Sequence, residues 1–235
     1  MKTRFGCLAA WLLACAAFAA PGQKLDFQST KELAEKGNAK AQFNLGAMYE
    51  NAQGVPANYT EAVKWYSKAA QQGEASAQYN LGVMHAHGKG VPRNSAEAIK
   101  WFRKAADQGD AQAQYNLGVM YDEGEGSARD RADAVVWFRK AADQGNARAQ
   151  HELALTYANG RGVSRDMIEA YKWLNVAADQ GYQPAIEDRD ILAKKLTPQQ
   201  ITMANRRAAE FTPKKTLPPD KNKKPVRPSS PEGVK

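Results

Sequence analysis

Cysteine and histidine are scarce: two and three of 235 residues. That excludes a disulfide-stapled scaffold and leaves too few ligands for a Cys/His zinc centre, which takes three or four. No Gly-x-Ser-x-Gly elbow and no glycine-rich phosphate loop occurs. Gly124-Glu125-Gly126 is glycine-rich but belongs to a recurring turn. His85 and His87 stand two apart, so on one helix they point in different directions, and no third ligand accompanies them. Asp122, Glu123 and Glu125 lack the spacing of a calcium loop and read as a solvated turn. The chain is expected to be no enzyme, with no metal and no cofactor.

Long apolar runs are missing too, apart from one at the start. Lys2 and Arg4 precede an uncharged stretch from Phe5 to Phe18, and Ala17-Phe18-Ala19 offers the small residues a signal peptidase reads. The run is shorter than the roughly 20 residues that span a bilayer, so residues 1–19 read as a secretory signal cleaved before Ala20. Leu12-Leu13-Ala14-Cys15 resembles a lipobox and offers a second route, a lipoprotein anchored at Cys15. Either way the expected location is the periplasm or the exterior of a Gram-negative bacterium. After signal cleavage no thiol remains, which suits an oxidising compartment.

Excess acid is also lacking. Lys and Arg number 33 against 25 Asp and Glu, a formal charge of +8. Residues 212–235 hold seven of the bases and two of the acids, together with six of the eleven prolines, from Pro213 to Pro231. Such a segment cannot bury enough apolar surface to order itself, and it reads as a disordered basic tail. Between Ala20 and Phe211 there are 24 bases and 23 acids, so the body of the protein is nearly neutral. No nucleic-acid partner is expected. An anionic membrane or cell-wall polymer is the natural candidate for the tail.

What the chain does have is a period. Gly37, Gly73, Gly109, Gly145 and Gly181 are 36 residues apart, as are Trp65, Trp101, Trp137 and Trp173. Leu45, Leu81, Leu117 and Leu153 keep the same step, and so do Gly54, Gly90, Gly126 and Gly162. A period of this length marks a solenoid of helix pairs. In the first unit Asn38 caps a helix from Ala39 to about Glu50, with Ala41, Leu45 and Met48 on one stripe. Gly54 is the expected left-handed stop, reinforced by Pro56. Asn58 then caps a second helix with Ala62, Trp65 and Ala69 inside, and Glu61 is placed for a capping box. The box recurs as Asn94/Glu97, Asp130/Asp133 and Asp166/Glu169. Gly46, Gly82 and Gly118 lie inside the first helices, where glycine costs about 1 kcal/mol against alanine, which predicts close helix–helix approach. The fourth unit has Ala154 there.

The pattern L-G-x-x-Y, then G-V, then A-x-x-W-[YF]-x-x-A-A-x-x-G resembles the Sel1-like repeat, a relative of the tetratricopeptide repeat. His85, Ser127-Ala128 and Leu174 depart from it. The resemblance implies an all-α, right-handed solenoid of antiparallel helix pairs with a concave binding face. It also implies an adaptor role of the kind exported bacterial relatives play in envelope assembly, signalling, polysaccharide export or host interaction. Four repeats are framed as 37–72, 73–108, 109–144 and 145–180. Residues 20–36 form a leading half-repeat and 181–211 a closing helix pair, with Thr197-Pro198-Gln199-Gln200 starting its last helix.

By the same resemblance the concave groove presents Lys40, Phe43, Asn44, Tyr79, Asn80, Gln112, Tyr115, Asn116, Arg148, His151 and Glu152. The matching asparagine of tetratricopeptide repeats binds an extended peptide, since an amide offers a donor and an acceptor as a peptide unit does. Glu152 ends the ladder of Asn44, Asn80 and Asn116. The expected partner is a protein or peptide. The second reading is a peptidoglycan or exopolysaccharide held by the groove aromatics and the cationic tail.

Overall fold

The computed structural model describes residues 26–213; the signal and all of the basic tail beyond Pro213 lie outside them. Among the described residues there are eleven helices and no strand. They are α1 (Phe27–Glu35), α2 (Ala39–Asn51), α3 (Tyr59–Gln71), α4 (Ala75–His87), α5 (Ser95–Asp107), α6 (Ala111–Glu123), α7 (Arg131–Asp143), α8 (Ala147–Asn159), α9 (Met167–Ala178), α10 (Gln183–Ala193) and α11 (Pro198–Ala209). From α1 to α10 each packs on the next in the chain, most extensively within α2/α3, α4/α5, α6/α7 and α8/α9, and α11 folds back onto α9. The result is an all-α solenoid. The even-numbered helices form one row and the odd-numbered ones the other.

Two local expectations are corrected. The left-handed residue that ends each first helix is not Gly54 and its equivalents but the position two residues earlier, Ala52, Gly88, Gly124 and Gly160. Gly90 and Gly162 are needed for a different reason: a Cβ there would stand 2.3 Å and 2.2 Å from the carbonyl oxygens of Tyr59 and Arg131, at the start of the preceding second helix. Ala52 therefore holds a glycine position, at φ 55°. A left-handed alanine costs about 1 kcal/mol, so Ala52→Gly should raise the unfolding free energy by about that much, read by guanidinium denaturation. An unchanged or lower midpoint would contradict this.

The capping boxes are half formed. Asn58, Asn94, Asp130 and Asp166 each accept the N–H of the third residue on. The return arm is replaced: their own N–H groups donate to Tyr49, His85, Tyr121 and Tyr157 carbonyls of the preceding helix at 2.9–3.1 Å. Glu61, Glu97 and Glu169 turn instead to Lys64, Lys100 and Lys172. The full box is present at Thr197/Gln200, where the Thr197 N–H donates to the Gln200 side chain at 2.9 Å.

The small residues inside the first helices admit a ring. A Cβ at Gly46, Gly82 or Gly118 would come within 2.7, 2.7 and 2.5 Å of Tyr66, Phe102 and Phe138. The fourth unit departs from the pattern at both equivalent positions: Ala154 and Leu174, 0% and 2% exposed, share one core cluster. A methyl added on one side goes with a ring removed on the other, so volume is conserved.

A second buried device is polar. Gln42, Gln78, Gln114 and Gln150 are at most 5% exposed. Each donates to a carbonyl in the last turn of the preceding helix, Ala34, Ala70, Ala106 and Ala142, at 3.0–3.1 Å. Each also accepts from a glutamine thirty residues on, Gln72, Gln108, Gln144 and Gln180. Burying these amides is tolerated because both ends are satisfied. At the C-terminal end the lysine that lies over Trp65, Trp101 and Trp137 (Lys68, Lys104, Lys140) becomes Val176, buried where α11 covers α9.

Candidate peptide-binding groove

The groove candidates all lie on the row formed by α2, α4, α6 and α8, but at two depths. Phe43, Tyr79, Tyr115 and His151 occupy one repeat position and are 4%, 1%, 8% and 8% exposed. Three of them pack on the ring across the pair, Phe43 on Tyr66, Tyr79 on Phe102 and Tyr115 on Phe138, with centroids 5.7–6.1 Å apart. His151 packs edge-on against Tyr182. These rings are core. The expectation that they stack against a partner is corrected, because their faces are already covered by protein.

Asn44, Asn80 and Glu152 are half-buried, and so are Gln112 and Arg148, while Lys40 is exposed. Lys40 lies over the Phe43 ring and 3.9 Å from Glu74. Gln112 accepts from Asn146. Asn116, 5% exposed, is deeper than its counterparts. Its side chain hydrogen-bonds the Tyr79 phenol, while Nδ2 is buried without an acceptor.

That contact belongs to a series. Tyr79 faces Asn116, Tyr115 lies beside Glu152, and His151 Nε2 is 2.7 Å from Asp188 Oδ2. The step is 37 residues each time, one repeat plus one residue, which carries each aromatic or imidazole onto the polar position of the next first helix. Phe43 and Asn80 stand in the same relation, with a ring that cannot hydrogen-bond. So part of the expected ladder is spent on holding repeats together.

Burial sets the electrostatics here. It pushes the Tyr79 phenol up to about 12, opposed by the Asn116 hydrogen bond and by Arg148. The Tyr115 phenol is pushed up by burial first and then by the Glu152 charge. The Glu152 carboxyl is raised above its usual range by burial, against the pull of His151 and Arg161. The Glu123 carboxyl, at the end of α6, is raised by burial and by Glu125, Asp122 and Glu152. His87, at the end of α4, is held below its usual value by burial, then by Lys89 and Arg93. Among the described residues no group of three or more His, Cys, Asp or Glu is placed to hold a metal, and no helix is long and apolar enough to cross a membrane.

The model of the Sel1 repeat matches residues 39–74, 75–110, 111–146 and 147–182, one after another without a gap. The chain belongs to the Sel1 repeat family. Its frame starts two residues later than the glycine-based one, a matter of where a continuous period is cut. Among solved structures, this Sel1 repeat chain is similar to a protective antigen present in uropathogenic Escherichia coli strains, at 36% identity and a TM-score of 0.73 over 79% of this chain. The match spans 40% of that antigen's length. It is also similar to a Sel1 repeat protein from Oxalobacter formigenes, at 35% identity and a TM-score of 0.66 over 78% of each chain. A comparison with curated proteins finds no match. Sel1 repeat proteins are in general protein-interaction scaffolds and typically non-catalytic.

Two features of this Sel1 array escaped the sequence reading. Asp188, the acidic end of the series, was not among the groove candidates, although the 37-residue step from His151 points to it. Glu123 was set aside as part of a solvated turn, yet it closes α6 on the groove row and feels Glu152.

Proposed function

We propose that this Sel1 repeat protein is a non-enzymatic adaptor of the bacterial cell envelope that binds a protein or peptide along its first-helix row. The observation that carries the reading is the recurrence, in three of the four repeats, of half-buried polar side chains above a sealed aromatic layer: Asn44, Asn80 and Glu152, with Arg148 beside them. A main chain laid across them meets donors and acceptors at repeat spacing, on a scaffold whose rings hold the helices in place. Export is supported by the basic start and apolar run of residues 1–19, outside the described residues. The polymer reading keeps only the cationic tail in its favour, since the groove rings are covered.

Affinity capture from envelope extract tests this, with peptide fragments of the captured protein then titrated directly. The variant Asn44→Ala/Asn80→Ala/Arg148→Ala changes three side chains that are not core. Helicity should be unchanged and capture should fall at least about tenfold, the size expected when hydrogen-bonding anchors are lost. Equal capture by the variant would sink the groove assignment.

A further inference from the structure

The near-neutral body of the protein is not neutral on each side. The first-helix row (α2, α4, α6, α8, α10) carries seven carboxylates against three cations. The second-helix row (α3, α5, α7, α9, α11) carries six against eleven. Six of those eleven cations meet a carboxylate: Lys64, Lys100, Arg131, Lys172, Arg206 and Arg207. The other five, Lys68, Arg103, Lys104, Arg139 and Lys140, are exposed and have no carboxylate within ion-pair distance among the described residues.

Each of the five lies on an aromatic ring instead. Lys68, Lys104 and Lys140 stand 4.2, 4.3 and 3.9 Å from the ring centres of Trp65, Trp101 and Trp137. Arg103 lies over Tyr121 and Trp137, Arg139 lies over Tyr157, and each arginine donates to the phenol of its tyrosine. A ring face holds a cation in place without neutralising it. The lysine stays on its own helix, whereas the arginine beside it reaches eighteen residues on, to the next first helix. The fixed charges are therefore spread across the array as well as along it, which suits a plane of anions better than a single strand.

Exposed apolar side chains on the same row separate a bilayer from an anionic polymer. Val136 stands where the other three repeats carry Lys64, Lys100 and Lys172, and it is 49% exposed, with Arg139 and Lys140 three and four residues on. Met203, 47% exposed on α11, has Arg206 and Arg207 at the same two steps. Residues three and four apart share a helix face, so each apolar tip is flanked by two cations. A charged polymer offers nothing to such a tip. A lipid leaflet takes the cations at its phosphates and the apolar side chains at the boundary below. Phe211 packs on Trp173 of α9, with centroids 5.1 Å apart, so the chain leaves the described residues beside this row, and seven cations against two acids follow Pro213.

We propose that the second-helix row docks on an anionic phospholipid leaflet, its five ring-held cations on the phosphates and Val136 and Met203 in the headgroup layer. The first-helix row then faces away from the lipid and stays open. This holds whatever the groove binds.

The test is co-sedimentation of the chain from Ala20 onward, which holds every described residue and lacks the apolar start that would itself enter a bilayer. Vesicles of phosphatidylcholine and phosphatidylglycerol in a ratio of about 3:1 supply the negative surface, and phosphatidylcholine alone is the neutral comparison. The anionic vesicles should bind at least about tenfold more tightly at low salt, and the preference should fade as salt rises. Lys68→Gln/Lys104→Gln/Lys140→Gln should lower that binding at least about tenfold with the tail in place and helicity unchanged. Lys68→Arg/Lys104→Arg/Lys140→Arg should bind as the unaltered chain does, which separates charge from packing. Val136→Ser/Met203→Ser should weaken vesicle binding severalfold and leave binding to dextran sulfate, a soluble polyanion, as it was. Equal binding to both kinds of vesicle, or full binding by the glutamine variant, would overturn the proposal. Vesicle binding that ignores the two serine changes would overturn it as well and mark the row as a polyanion surface.

Discussion

Gly118→Ala should lower the unfolding free energy by about 2 kcal/mol, and adding Phe138→Leu should recover much of that loss. The alanine methyl would stand 2.5 Å from Cδ1 and Cε1 of Phe138. The ring cannot swing clear: it is 2% exposed and packs against Tyr115, 6.1 Å away between centroids. Either α6 moves off α7 or the ring leaves its rotamer. Phe138→Leu alone opens a void and should cost on the order of 1–2 kcal/mol. Together the two changes reproduce the Ala154/Leu174 pairing that the fourth repeat already uses, so the cycle should show a favourable coupling of about 1 kcal/mol or more. For a body of this size each kcal/mol shifts the thermal midpoint by about 2–4 °C, well within calorimetric resolution. A double variant no more stable than the sum of the singles would show that the two positions are independent.

Gln150→Ala should be the more damaging change, at about 3 kcal/mol, combining a cavity with lost hydrogen bonds. Gln150 is 0% exposed, donates to the Ala142 carbonyl at 3.0 Å and accepts from Gln180 at 2.6 Å. It ties the end of α7 to the start of α8 across the Gly145 turn, so its loss strikes an interface between repeats, where a solenoid's cooperativity resides. Gln180→Ala is the comparison. That residue is exposed, water can replace its amide, and the cost should stay below about 1 kcal/mol. Guanidinium unfolding of both variants checks the contrast. Equal effects would mean that the buried member has no special weight.

These two results separate what was readable along the chain from what was not. The glycine and tryptophan periods place every helix pair, because a residue that must be small or must cap recurs wherever the same turn recurs. The Ala154 and Leu174 departures were visible as isolated exceptions, and only packing across the pair joins them. The glutamines recur as regularly as the leucines, yet a polar residue at constant spacing is as compatible with a wet surface as with a buried bond. The groove fared unevenly for the same reason. Periodicity finds which positions repeat but not their depth, so Phe43, Tyr79 and Tyr115 were grouped with Asn44 and Asn80 although the step of about 100° between adjacent helical residues puts the rings in the core and leaves the amides half-buried.

By itself, then, the sequence determined the class of fold, the number of repeats and the near balance of charge from Ala20 to Phe211, since these depend on spacing and composition. Tertiary structure alone decided how that charge is sorted. The two helices of each repeat face opposite ways, so acids that alternate with bases along the chain collect on one side of the solenoid and bases on the other. It also decided which acids find a cation. Asp122, Glu125 and Asp188 meet theirs 32–39 residues away in the chain or across a helix pair, a distance that no local pattern encodes.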